Sequence, residues 1–206
     1  MRIPIPQEHP MAAHPVTKPA MHYTWSDYQT WPDDERWEII GGTAHAMSFA
    51  PAPSISHHQA AGRIFNLLEH VLAGKPCRPF IAPTDVRLSD ADIVQPDILV
   101  VCDSSKVTPS HIEGIPDIVV EVLSPATATR DLREKKALYE KSGVREYIVV
   151  DPMEHYAIRF LLGADGTYDK GAVVAADEKL VFTTLDGIEI PLWEVFGVAG
   201  PETEAA

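Results

Sequence analysis

Basic residues are scarce in this chain of 206 residues: 17 Lys and Arg stand against 30 Asp and Glu, a formal net charge of −13. A protein that grips a polyanion by broad surface attraction shows a basic face. That mode of nucleic-acid binding is therefore excluded unless basic groups are concentrated locally. Cysteine is nearly absent as well, with only Cys77 and Cys102. They lie far apart and in no ligand spacing, so neither a disulfide framework nor a zinc site is expected, and Cys102, after a Val-rich run, reads as a buried thiol. No apolar run approaches the roughly 20 residues that cross a bilayer, and the N-terminus has no apolar signal core. A cytoplasmic protein with no membrane partner is the expectation. A Gly-rich phosphate loop, a Gly-x-Ser-x-Gly elbow and internal repeats are all missing, which leaves nucleotide-cofactor and serine-hydrolase chemistry unsupported.

What is present is enough apolar sequence for one core: 45% of the residues are hydrophobic, and the length calls for a single domain. Residues 1–21 carry Pro, Ala and His without periodicity and read as a mobile arm; 22–198 read as the domain and 199–206 as a disordered tail. Thr24 caps a short helix that runs to Thr30. Residues 36–40 and 43–49 flank Gly41-Gly42 as a hairpin. A helix begins near Ser54, where Ala61, Ile64, Leu67, Leu68 and Leu72 form an apolar face of core-packing spacing. The polar loop 104–114 lies close enough to a strand end to approach a substrate. Gly143 ends a second helix and 145–151 forms another buried strand. Short antiparallel strands follow from Tyr156 to Pro191, with 192–196 as an apolar anchor.

Two short Val- and Ile-rich runs each carry a carboxylate, Asp97 ahead of Ile98-Leu99-Val100-Val101 and Glu121 after Ile118-Val119-Val120. Both runs read as buried strands of one sheet. An acid capping the next loop would explain either one alone. Burying a lone carboxylate costs several kcal/mol unless a cation compensates it, so two on neighbouring strands point to a shared cation, most simply a divalent metal. Asp131, Lys135 and Tyr139 recur at i, i+4 and i+8 on the helix after the Glu121 strand. A solvated face accounts for the first two but not for the Tyr.

The order Glu38, Pro96-Asp97, Glu121-Val122-Leu123-Ser124-Pro125, Asp131…Lys135…Tyr139 and Gly143-Val144-Arg145-Glu146-Tyr147 through Asp151-Pro152 resembles the Uma2 family, a branch of the PD-(D/E)xK nuclease-like superfamily. The resemblance spans roughly 23–196. It implies an α/β, restriction-endonuclease-like domain, a central mixed β-sheet flanked by α-helices, with a helix after each key strand. It also implies a metal-dependent DNA endonuclease that hydrolyses phosphodiester bonds with Mg²⁺ or Mn²⁺ held by Asp97 and Glu121. In the parent motif a Lys sits two residues after the Glu; here that position is Leu123. The family supplies the Lys from the following helix, where Lys135 occupies the place and Lys136 is the neighbouring alternative. Its ammonium would orient water or stabilise the transition state. Glu38 matches the family's upstream acid, and His58 falls where the family often has a His. The His57-His58 pair has no further ligand at metal spacing, so a transition-metal site is disfavoured.

Five basic residues between 130 and 141 (Arg130, Arg133, Lys135, Lys136, Lys141) are the candidate phosphate patch, with a solvated helix as the alternative. Binding to DNA should be weak and salt-sensitive. Homodimerisation through a sheet edge is expected. The competing reading is a non-catalytic nuclease-fold scaffold or interaction module, favoured by Leu123 and by the acidic total.

Overall fold

Gly41 and Gly42 adopt positive φ values of 56° and 78°, the backbone that a two-residue hairpin turn demands and that a side chain resists. In the computed structural model, which describes residues 18–19, 21–32, 34–47, 54–125 and 127–201, this turn joins β1 (Trp37–Ile40) to β2 (Thr43–Ala46). Ahead of it stands α1 (Trp25–Tyr28), where Oδ2 of Asp27 accepts both the backbone N–H and the hydroxyl of Thr24 at 2.8 Å. The helix is shorter than the expected run to Thr30. After it come α2 (Ile55–Val71), β3 (Arg78–Ile81), β4 (Val86–Ser89), β5 (Asp92–Val94) and β6 (Ile98–Val101). β7 (Ile112–Glu113) lies within the polar loop, and β8 (Ile118–Val122) is the Glu121 strand.

A broken helix covers 128–142: α3 (Ala128–Arg130), a π-helical stretch Asp131–Lys135, and α4 (Lys136–Ser142). Gly143 ends it at φ 90°, a left-handed position as expected. β9 (Glu146–Asp151), β10 (Tyr156–Leu161), β11 (Ala172–Ala175), β12 (Lys179–Phe182), β13 (Ile188–Pro191) and α5 (Leu192–Phe196) complete the order. The expectations for a mobile arm, for strand residues beyond 47 and for the tail fall largely outside the described residues.

The α/β class holds, but the strands divide between two sheets and a hairpin rather than forming one. The central six-stranded sheet runs β11-β10-β9-β8-β6-β3, mixed because β8 and β9 are parallel while the other pairs are antiparallel. A five-stranded sheet runs β2-β1-β5-β4-β7, and β12 pairs with β13. The central strands are buried on both faces, which is why they read as continuous apolar runs. Alternate residues nevertheless go opposite ways: Ile98, Val100, Val120 and Ile148 pack with α2 and α5, while Leu99, Val119 and Val149 meet Leu138 and Tyr139 of α4. Glu121 shares the phase of Val119 and so points toward the broken helix.

Two further expectations are corrected. Of the two carboxylate-bearing strands only β8 is followed by an α-helix; β6 leads into a 3₁₀ turn at Ser104–Lys106, because Asp103 accepts from Ser105 N–H and closes that turn locally. And Cys77 and Cys102 form a disulfide. Their separation along the chain misled the expectation: β3 pairs antiparallel with β6 and matches Arg78 to Val101, so the next residues out are direct cross-strand neighbours.

Candidate active site at the junction of two sheets

The chain leaves the five-stranded sheet at Val94 and enters the central one at Ile98. Gln95-Pro96-Asp97 is therefore the seam between the sheets, and the candidate residues gather there. Pairing of β6 with β8 matches Ile98 to Val120, which sets Asp97 opposite Glu121 one step further along. Asp97 Oδ2 accepts the Val122 N–H at 2.8 Å. Glu38, from β1 of the other sheet, reaches the same place, its Oε1 accepting the Gln95 N–H at 3.1 Å.

Lys135 joins them from the helix. Its Nζ lies 2.8 Å from Glu38 Oε1, 2.9 Å from Glu121 Oε1 and 3.9 Å from Asp131 Oδ1. The side chain sits in the π-helical stretch, whose wider turn departs from regular α-helix where the site is built. Lys136 points elsewhere, its ammonium 4.6 Å from the centre of the Phe160 ring. Tyr139 completes the stripe from the next turn, donating its hydroxyl to Glu121 Oε1 at 2.8 Å, and Tyr147 donates to the Asp131 carbonyl at 3.0 Å. Asp131, Lys135 and Tyr139 are thus all buried against Glu121 and no part of a solvated face.

Three carboxyl groups, Glu38, Glu121 and Asp131, lie within 4 Å of one buried ammonium, and Asp97 stands beside Glu121 on the neighbouring strand. Burial raises the Glu121 carboxyl to about 8, with Asp131, Asp97 and Glu38 adding to it against the pull of Lys135. Burial likewise raises Asp131. For Lys135 burial works against the charge, but Glu121, Glu38 and Asp131 outweigh it and hold the ammonium above the ordinary lysine range. Tyr139 is raised by burial and by Glu121, so its hydroxyl keeps the proton it donates.

Asp97, Glu121, Asp131, Arg130 and His57 line one cavity of about 350 Å³. His57 was missed by the sequence reading, which favoured His58. His57 is buried and its Nε2 lies 3.3 Å from Asp97 Oδ1; His58 borders the cavity but is exposed. Burial opposes the charge of His57, yet Asp97 and the carbonyls of Val122 and Leu123 raise it above the usual histidine value. The signal was available: Ala61, Ile64 and Leu68 are four, seven and eleven residues beyond position 57, so the apolar face of α2 extends back to His57.

The family model described as "Uma2: Putative restriction endonuclease" matches residues 25–192. The chain belongs to the Uma2 family. It is 28% identical over 145 residues, 68% of this chain and 72% of the other, to an uncharacterised protein, slr1290, of Synechocystis sp.. Its fold is similar to the crystal structure of a protein from Anabaena variabilis described as a putative nuclease of the DUF820 group. The TM-score is 0.67 at 18% identity, covering 84% of this chain and 97% of that one.

Within this Uma2 chain the fit to a divalent cation rests on donor chemistry. Glu38 Oε2 is buried without a hydrogen-bond partner, and Arg130 stands 3.9 Å from it. Glu121 uses Oε1 for both of its donors, leaving Oε2 unengaged among the described residues. Hard oxygen donors from Asp97 and Glu121 on one cavity suit Mg²⁺ or Mn²⁺, which keep several waters. Among the described residues no group of three His, Cys, Asp or Glu side chains is set to hold a metal, so the protein's share would be those two carboxylates. The expected basic patch does not form as a unit: Lys135 is buried, Lys136 covers Phe160, and Arg133 and Lys141 are exposed. Among the described residues no helix is long and apolar enough to cross a membrane.

Proposed function

We propose that the protein is a divalent-metal-dependent DNA endonuclease, with Asp97, Glu121 and Lys135 as its catalytic groups and Glu38 in support. The observation that carries this reading is the convergence of Asp97 and Glu121 on one cavity, with Lys135 and Glu38 buried behind Glu121 at the seam where the family's motif residues meet. Asp97 and Glu121 would hold Mg²⁺ or Mn²⁺, which when bound supplies Lewis-acid polarisation of the phosphate and a more acidic water. Glu38 and Tyr139 fix the Lys135 ammonium and the Glu121 carboxylate so that neither reorganises during the reaction. Lys135 offers charge to the non-bridging oxygens or orients the attacking water. His57 holds Asp97 from the α2 side, and Arg130, at the mouth, meets an incoming phosphate.

The scaffold reading draws on one observation: Lys135 already reaches both Glu38 and Glu121, so the site is held together by its own internal contacts. Cleavage of supercoiled and single-stranded DNA, titrated with Mg²⁺ and Mn²⁺, separates the two. Wild-type protein should cleave, and Asp97→Asn, Glu121→Gln and Lys135→Ala purified alongside should not. Equal cleavage by all four would mark a contaminant, and none by wild type at any metal concentration would leave the scaffold.

A further inference from the structure

A second cavity, of about 410 Å³, opens beside the catalytic one and shares Arg36, Pro83 and Gln95 with it. This is within the range of roughly 300–1,000 Å³ typical of ligand sites. Its walls are aromatic: Trp25, Tyr28 and Trp31 line it from α1 and the segment after it. The rings of Trp25 and Tyr28 stack with centroids 5.6 Å apart and planes within 16°, and Trp25 also rests on His111 of the polar loop at 4.6 Å. Polar groups close the cavity. The Tyr28 hydroxyl donates to Asp85 Oδ1 at 2.8 Å, the Gln95 amide donates to the same oxygen at 2.7 Å, and Ser110 stands opposite. At the passage between the cavities Arg36, exposed, donates to Gln95 Oε1 from Nε and Nη2 at 3.0 and 2.7 Å.

We propose that this aromatic cavity receives an unpaired nucleobase next to the phosphate held in the catalytic cleft, so that the substrate of the proposed nuclease is single-stranded DNA. The proposal rests on the nuclease reading for the neighbouring cleft. Three features select a base. A chain of net charge −13 gains little from phosphate contacts, whereas base–aromatic contact is independent of net charge and contributes about 1–3 kcal/mol per base. Gln95 commits its amide to Arg36, Tyr28 and Asp85, so the polar edge of a base would meet the Ser110 hydroxyl and the second carboxylate oxygen of Asp85, groups that suit a base better than an aliphatic side chain. Arg36 stands where the linking phosphate of the same strand would pass. A base in a duplex is stacked and paired on both sides and cannot turn into such a side cavity without being extruded, which adds a few kcal/mol.

The test is binding with metal omitted, by fluorescence anisotropy and tryptophan quenching, using a short oligodeoxyadenylate, an abasic oligomer of the same length and charge, and the adenylate paired with its complement. The expected result is roughly 5- to 100-fold tighter binding of the single strand than of the abasic oligomer or the duplex. Trp25→Ala should remove that preference while leaving abasic binding unchanged. Ser110→Trp, which fills the cavity and keeps every aromatic, should do the same and covers the case in which Trp25→Ala fails to fold. Equal affinity for adenylate and abasic oligomers, equal affinity for duplex, or a preference that survives both substitutions overturns the proposal. Base-dependent binding without cleavage on later addition of metal would overturn the nuclease reading alone; cleavage without base dependence would overturn this one alone.

Discussion

The two walls of the candidate cavity are built on opposite terms. The inner wall, Glu121 and Asp131 backed by Glu38, Lys135 and Tyr139, is withdrawn from solvent, and Lys135 there is shared by three carboxylates. The outer wall is Asp97, whose side chain is 22% exposed, with His57 and Arg130 beside it. Charge on the inner wall has lost its hydration and depends on partners for its existence; charge on the outer wall keeps water as an alternative partner. One residue can therefore be dispensable to folding while its neighbour, equally near the cavity, is not. The inner wall should report on stability and activity together, the outer wall on activity alone.

The largest effect should come from breaking the inner wall. Lys135→Ala leaves Glu38 and Glu121 buried without their cation, and removing one partner of a buried pair costs about 3–5 kcal/mol. In a chain of this size that is a fall in melting temperature on the order of 10 °C, readable by circular dichroism. Adding Glu121→Gln to that variant should recover part of the loss. If the single variant melts within 2–4 °C of wild type, roughly a 1 kcal/mol change, the inner wall is solvated and the contrast between the walls fails. On the outer wall, Asp97→Asn keeps shape and the Val122 hydrogen bond, so it should change melting by a few degrees at most while lowering cleavage by at least about 100-fold, a loss of roughly 2.7 kcal/mol.

A pH series sharpens the same contrast. Glu121 in the metal-free protein is raised from 4.5 to about 8 by its burial, so between those values the folded state holds a proton that the unfolded chain has released. Stability from this group is full below 4.5 and is lost as pH rises through 8. Lys135, held above its ordinary range, stays charged throughout. The metal-free protein should therefore lose stability on going from mildly acidic to mildly basic buffer. Mg²⁺ should offset the loss by favouring the ionised carboxylate, and Glu121→Gln should flatten the slope. An unchanged slope in Glu121→Gln would assign the titration to another group.

Why some of this was legible in the sequence and some was not follows from the range of each interaction. The buried strands and the Asp131, Lys135 and Tyr139 stripe are local patterns, with periods of two and about four residues, and each survives in the fold. The positions of Asp97 and Glu121 also followed from their runs. What linked Glu38 to them was the motif order alone, because β1 belongs to a different sheet and meets Lys135 only through the chain crossing at Gln95. The division into two sheets, the cross-strand pairing of Cys77 with Cys102 and the aromatic cavity share that origin: each depends on which strands pair, and pairing leaves no local trace. Lys135 and Lys136, equivalent as neighbours in sequence, were separated by helix phase, one toward Glu121 and the other onto Phe160.

The smallest predicted effect concerns His57, the residue whose neighbour drew attention instead. Its ring meets Asp97 from α2, and its buried Nδ1 makes no well-formed hydrogen bond, so a substitution removes one hydrogen bond and one poorly satisfied atom, two changes that partly offset in stability. His57→Ala should shift melting by no more than about 1 kcal/mol while lowering cleavage roughly tenfold through a less well held Asp97, since one hydrogen bond of that strength is worth about a factor of ten. His57→Gln, which can still donate to Asp97, should recover part of the rate. His58→Ala, on the exposed side of the same helix, should leave both quantities at wild-type values. Equal losses in the two alanine variants would mean that the bordering His58 also acts on the site, and that the helix face alone does not decide which histidine serves the outer wall.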